Sequence, residues 1–232
     1  EVHGLELSAM VIRPLQGQFA AEVVGLGLPV DDAMFATIEA AWTRHPILVF
    51  RELEMTPEQH IAFSRRFGDL HIMEPLQYNL PGYPELFVVS NVEEGGKALG
   101  MKRAGWGWHT DGEDKAIPNA GSMLYALELP PEGGDTLFAN MYAAYEALSD
   151  RMKQYLEGLT AVHDGEENYR GTYANFGDKA NPTYPRAEHP VIRVHPVTGR
   201  KALFVNRGFT RYIVGIPRDE SDGVLRYLYE HM

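Results

Sequence analysis

The chain has 232 residues, a formal net charge of −11, 44% hydrophobic and 11% aromatic residues, and no cysteine. That length and apolar share suit one globular domain with a substantial core. The missing cysteines exclude disulfides, zinc ribbons, iron–sulfur clusters and thiol catalysis, and the acidic balance argues against a nucleic-acid or anionic-membrane surface.

The N-terminus lacks the basic-then-apolar pattern of a secretory leader. No apolar run reaches the length of about 18 residues that a membrane span needs. A soluble cytoplasmic protein is the expectation. Val11-Ile12-Arg13-Pro14-Leu15 and Ala21-Glu22-Val23-Val24-Gly25 read as short strands around a turn at Gly17. Asp31 or Asp32 caps a helix through Ala41, with Met34, Ile38, Ala41 and Trp42 at helical spacing, and Pro46 ends it. Residues 47–50 are fully apolar and predict a buried strand. Thr56-Pro57-Glu58-Gln59 combines an N-cap, a proline at N1 and a capping-box glutamine. The helix it starts stops at Gly68 and carries Arg65 and Arg66 on a solvated face.

Residues 86–90 predict another buried strand, and 93–105 a mobile loop. A polar loop after Asp111 leads to an apolar run at 122–127, a turn at 130–134 and a new strand from Asp135-Thr136-Leu137-Phe138. Two helices are expected at 142–148 and 150–157, the second capped by Ser149 and stopped by Gly158. Residues 168–188 are polar, Tyr-rich and broken by Pro182 and Pro185, which suits a lid over a site. Residues 191–194 and 202–205 flank Pro-Val-Thr-Gly-Arg as a hairpin, and 221–232 read as a helix. Many short strands with helices early and late suggest an α+β or mostly-β architecture.

The chemistry concentrates between Trp106 and Thr136. In a strand, residues i and i+2 share a face, so the side chains of His109 and Asp111 converge. Trp106 and Trp108 are strand formers in the same alternating register. An imidazole and a carboxylate make two thirds of a 2-His-1-carboxylate facial triad, which holds non-haem Fe(II) and leaves positions open. Alone the triplet is weak. With 9 His and 32 Asp+Glu, roughly one His-x-Asp/Glu arises by chance.

Trp108-His109-Thr110-Asp111, the Glu128-Leu129-Pro130…Gly133-Gly134-Asp135-Thr136 segment, Ala144-Tyr145-Glu146-Ala147-Leu148-Ser149, His189-Pro190, and His195-Pro196-Val197-Thr198-Gly199-Arg200-Lys201-Ala202-Leu203-Phe204-Val205-Asn206 closely resemble the taurine dioxygenase/TfdA family. The motifs keep the family's order from about Pro14 to the last residue. The resemblance implies a double-stranded β-helix, a jelly roll of the cupin kind, with helices packed outside. It implies Fe(II), with 2-oxoglutarate and O2 as cosubstrates, and C–H oxidation of a small organic acid with release of succinate and CO2. It implies that His109 and Asp111 are the metal ligands and that Thr136 hydrogen-bonds the distal carboxylate of 2-oxoglutarate. Asp111 favours hydroxylation or a related oxidation, because related halogenases carry a small residue in its place.

The family's second metal histidine and its 2-oxoglutarate arginine lie on strands beyond the helix that here ends at Tyr229-Glu230-His231. His163, His189, His195 and His231 match family positions outside the triad. Residues 1–232 are therefore expected to form a single oxygenase domain that is C-terminally incomplete and lacks its closing strands. Taurine-oxidising members carry a histidine where this chain has Met73 and an asparagine where it has Gly105, so the expected substrate is not taurine. His71, Tyr78, Tyr169, Tyr173 and Phe209 are further substrate candidates, and Phe209 matches a family substrate-contacting phenylalanine. A small-molecule substrate and homo-oligomers are the expected partners, with no nucleic acid and no membrane. Two alternatives stay open. One is a cupin-like metal- or ligand-binding protein without turnover. The other is an iron oxygenase without an oxoacid, against which the match at Thr136 counts.

Overall fold

The structure, a computed structural model, describes residues 10–15, 17, 19–73, 76–102, 104–170, 177–178 and 181–232. The chain divides into two units, residues 1–72 with 80–86, and residues 73–79 with 87–232. Strands outnumber helices among the described residues, and they form several small sheets.

In the first unit β1 (Val11–Pro14) pairs antiparallel with β2 (Ala20–Val24), which pairs parallel with β3 (Ile47–Phe50). β2 is central, and Ala21 and Val23 are fully buried. β3 lies at the sheet edge and is half-buried along its length, not fully buried as its apolar run suggested. α1 (Asp32–Arg44) starts at Asp31, whose carboxylate accepts from Met34 N at 2.7 Å. α2 (Pro57–Arg65) begins with the predicted capping box: Thr56 Oγ1 accepts from Gln59 N at 3.2 Å, and Gln59 Oε1 accepts from Thr56 N at 2.8 Å. Phe35, Trp42, Phe50 and Phe63 cluster with Phe67 through edge-on contacts of 4.9 to 5.6 Å. Arg65 and Arg66 are exposed but tethered. Arg65 pairs with Glu85 at 2.8 Å, and Arg66 pairs with Asp32 at 2.8 Å while lying over the Phe35 ring.

The unit boundary passes through the hairpin of β4 (Asn79–Leu80) and β5 (Tyr83–Phe87). β5 begins three residues before the predicted strand, because Pro84 is accommodated in it. The expected loop at 93–105 contains a second hairpin, β6 (Glu93–Glu94) and β7 (Lys97–Ala98). Gly95 and Gly96, at φ 57° and 78°, supply the left-handed pair that a tight two-residue turn requires.

In the second unit α3 (Met141–Glu146) and α4 (Asp150–Leu156) precede β8 (Thr160–Asp164). Ser149 caps α4 by accepting from Met152 N at 3.2 Å. α5 (Glu166–Tyr169), β9 (Gly177–Asp178) and β10 (Asn181–Pro182) follow. β11 (Arg186–Pro190), β12 (Ile192–Val194), β13 (Lys201–Leu203), β14 (Thr210–Ile213) and α6 (Arg218–His231) complete it. β8 is the centre of an antiparallel sheet ordered β11-β8-β14, and β12 pairs with β13 as the predicted hairpin. The core is built from Leu148, Leu156, Ala161, Val191, Ile192, Leu203, Val205, Ile213, Leu225 and Leu228. Ser221 of α6 is fully buried and accepts from Ile213 N at 2.8 Å, which locks the helix to β14.

Three further features depart from the expectations. β8 carries His163 and Asp164 and has too short an apolar run to signal a strand. No residue from 108 to 139 belongs to a strand or helix, so the expected strands at His109 and at Asp135 are irregular extended chain and turns. Arg186 to Glu188, expected within a lid, are part of β11, while much of the remaining lid, with Tyr173, lies outside the described residues. Among the described residues no helix is long and apolar enough to cross a membrane.

Candidate metal centre

His109 and Asp111 converge without a strand. The turn at Asp111 and Gly112, where Gly112 takes φ 74°, folds the segment so that His109 Nε2 and Asp111 Oδ1 lie 3.1 Å apart. Each side chain is fixed from behind. His109 Nδ1 donates to the Gly107 carbonyl at 2.7 Å, which leaves Nε2 as the outward nitrogen. Ser122 Oγ donates to Asp111 Oδ2 at 2.5 Å, which leaves Oδ1 facing the histidine. Both side chains remain partly open to solvent. The Asp111 hydrogen bond raises the His109 pKa to about 9 against the opposing effect of burial. The same bond is the main cause that lowers the pKa of Asp111. At neutral pH a proton therefore sits on Nε2 between the two groups, where a cation of higher charge can replace it.

The donor chemistry fits a first-row divalent metal. At the bond lengths of about 2.1 Å that such donors make to zinc, two donors at right angles on one ion lie about 3 Å apart. Imidazole and carboxylate are the ligand types of non-haem Fe(II) sites. Among the described residues no third histidine, aspartate, glutamate or cysteine joins this pair.

A buried polar group lies behind the loop. Glu113 is 1% exposed and Asp114 2% exposed, although their charge and turn context predicted a polar loop. Glu113 Oε1 accepts from Thr110 N at 3.0 Å, and its Oε2 accepts from Asn206 Nδ2 at 2.5 Å and faces His163 Nδ1 at 2.9 Å. These partners offset the cost of burying a carboxylate. Both Asp114 oxygens lack a hydrogen-bond partner among the described residues.

The substrate candidates separate. Gly105 takes φ 73°, and a Cβ there would stand 3.5 Å from His109 Cε1, so it borders the His109 ring. Phe209 is half-buried with its ring 6.4 Å from that of His109 and 5.9 Å from that of Tyr169. Tyr78 instead packs on Phe87 at 6.1 Å. Met73 is exposed, and His71 is an exposed residue of the first unit. Thr136 is exposed in the irregular 133–140 segment and makes no hydrogen bond among the described residues. His189 is buried and donates Nε2–H to the Lys115 carbonyl at 2.9 Å, and His231 donates to the Ala144 carbonyl at 2.8 Å. Ser122, Glu113, Asn206 and Gly208 escaped sequence reasoning. Each acts through a fold contact 11 or more residues away, and nothing in its immediate sequence reports that contact.

The profile of the Taurine catabolism dioxygenase TauD, TfdA family matches residues 12–232. The (S)-phenoxypropionate/alpha-ketoglutarate-dioxygenase of Sphingobium herbicidovorans is 34% identical over 96% of this chain and 79% of its own length. A Schizosaccharomyces pombe protein, named as a candidate alpha-ketoglutarate-dependent sulfonate dioxygenase, is 50% identical over 54% of this chain. The chain spans only 32% of that protein's length. The crystal structure of a taurine dioxygenase from Burkholderia xenovorans superposes with a TM-score of 0.77 at 34% identity, over 96% of this chain and 72% of that one. With a family profile matched over nearly its whole length and a relative aligned across both chains, this chain belongs to the TauD, TfdA dioxygenase family.

Proposed function

We propose that the protein is an Fe(II)- and 2-oxoglutarate-dependent dioxygenase that oxidises a C–H bond of a small organic acid other than taurine. The approach of His109 Nε2 and Asp111 Oδ1 to 3.1 Å carries this reading. Bound Fe(II) and 2-oxoglutarate supply the oxidative decarboxylation, to succinate and CO2, that drives C–H oxidation by O2. His109 and Asp111 would hold two positions of the metal. Gly107 and Ser122 orient them by engaging His109 Nδ1 and Asp111 Oδ2, which leaves Nε2 and Oδ1 as the atoms a metal would take once it displaces the proton between them. Thr136 is assigned to the distal carboxylate of 2-oxoglutarate on the family resemblance.

Substrate choice is read from Gly105, Met73 and Phe209. Gly105, beside the metal histidine, offers no side-chain donor, and Met73 is a soft apolar group. A buried sulfonate without hydrogen-bond partners is costly. Phe209 and Tyr169 offer an aromatic wall. His71 and Tyr78 are kept as substrate-binding candidates on the resemblance alone.

The fold proposed on the family resemblance is a jelly roll. Residues 116–139 expose Leu124, Leu127, Leu137 and Phe138 at 57 to 86%, an apolar surface in the same unit as the His109–Asp111 pair.

The test is succinate release with Fe(II), ascorbate and 2-oxoglutarate across a panel of phenoxyalkanoates, alkyl sulfates, sulfonates and taurine. Substrate-dependent succinate, with taurine below the bulkier acids, is expected. No succinate with any acid overturns the oxygenase reading, and taurine as the best substrate overturns the reading of Met73 and Gly105.

A further inference from the structure

Glu113 stands two residues beyond Asp111, and its carboxylate joins three segments that are distant in sequence. Oε1 holds the Thr110 amide, the peptide unit between the two metal-facing residues. Oε2 faces His163 on β8 and accepts from Asn206. Asn206 in turn accepts the Phe209 amide on its Oδ1 at 3.0 Å, while Thr210 Oγ1 accepts from Asn206 N at 2.9 Å. The 206–209 turn also presses directly on the metal loop. A Cβ on Gly208 would stand 2.9 Å from the Trp108 carbonyl oxygen and 3.7 Å from His109 Cβ.

We propose that Glu113 is a positioning residue that sets the register between the His109–Asp111 pair and the Phe209 wall, so that metal affinity and the coupling of cosubstrate turnover to substrate oxidation depend on it. The inference rests on His109 and Asp111 as metal ligands. Stability alone is a poor reason for such a group. Buried charged networks contribute little net stability, and apolar replacements of similar volume often equal them. What a carboxylate does here is fix three backbone segments at once, with one oxygen on the metal loop and the other on the turn that carries Phe209. Outer residues of this kind, which hold ligands without touching metal, set affinity and activity by about 10–100-fold.

The experiment compares full-chain wild type with Glu113→Gln and Gly208→Ala. Glu113→Gln keeps the volume and an acceptor for Thr110 N–H, but it can turn an N–H group toward the Asn206 donor. Gly208→Ala keeps every polar group and forces the turn off the Trp108 carbonyl. Co(II) binding to the metal-free protein, followed by visible absorption, is read beside the melting temperature. The ratio of substrate oxidised to succinate formed is the second readout. Both variants are expected to stay folded, to bind Co(II) about 10–100-fold more weakly, and to lose coupling. Co(II) affinity within twofold of wild type and unchanged coupling, with only a lower melting temperature, overturn the proposal in favour of a purely structural role. If Glu113→Gln does not fold, Gly208→Ala decides by the same two readouts. A wild-type protein that shows no Co(II) binding overturns the metal assignment itself, and the proposal falls with it.

Discussion

At the scale of single residues, His109 and Asp111 are close enough to share an ion but are held by different partners, Gly107 and Ser122. His109→Ala or Asp111→Ala should therefore lower Fe(II)-dependent succinate formation by orders of magnitude. The circular dichroism spectrum should not change, since neither side chain is in the core; full turnover in either variant would remove the pair from the chemistry. Gly105 permits a sharper test. Its φ of 73° suits asparagine better than other side chains. A Cβ there makes ordinary contact, 3.5 Å, with the His109 ring. Gly105→Asn should fold, and it should move selectivity toward taurine by placing an amide beside His109. The ratio of succinate released with taurine to that released with the best acid of the panel measures the change, and a ratio that stays level shows that Gly105 does not face substrate.

At the scale of elements, the helix caps and the central strand make separate predictions. Thr56→Ala removes the capping bond from Gln59 N to the Thr56 hydroxyl at the start of α2 and leaves the backbone bond from Thr56 N to Gln59 Oε1. The loss should cost about 1 kcal/mol, read from urea unfolding of the first unit's signal. On β11, burial, and then the charge of nearby His163, hold the His189 pKa below the ordinary 6.5. In the unfolded chain this histidine titrates near 6.5. Between the two values the unfolded state binds more protons, so stability falls as pH drops. The contribution is intact above about pH 6.5 and is lost as pH falls through that value toward the folded pKa. The unfolding midpoint should therefore drop between about pH 7.5 and pH 5.5, and the drop should shrink in His189→Gln. An equal drop in wild type and variant would assign the acid sensitivity elsewhere.

At the scale of the whole molecule, the apolar residues between Leu124 and Phe138 stand outside any sheet. Extended apolar chain of this kind is a template for pairing with another chain. The protein should associate with rising concentration in sedimentation velocity. Leu124→Lys with Leu137→Lys should reduce that association while leaving the melting temperature nearly unchanged, because both sites are exposed. Association that persists unchanged in the double variant places the contact on another face.

Local physical chemistry made much of this protein legible in its sequence. The Asp31 and Ser149 caps, the capping box at Thr56, the β12–β13 hairpin and the last helix all follow from neighbouring residues, since a cap or a tight turn is satisfied within three or four positions. The pairing of His109 with Asp111 was legible too, because two side chains at i and i+2 need only an extended segment or a turn to meet. Tertiary structure alone decided the rest. β8 is the middle of its sheet although it carries His163 and Asp164, because Glu113, fifty residues earlier, supplies that histidine's partner. Glu113 is buried and not solvated for the same reason: its partners, Asn206 and His163, come from distant parts of the chain. Burial of a charged group depends on what the fold brings to it, and no window of neighbouring residues contains that information.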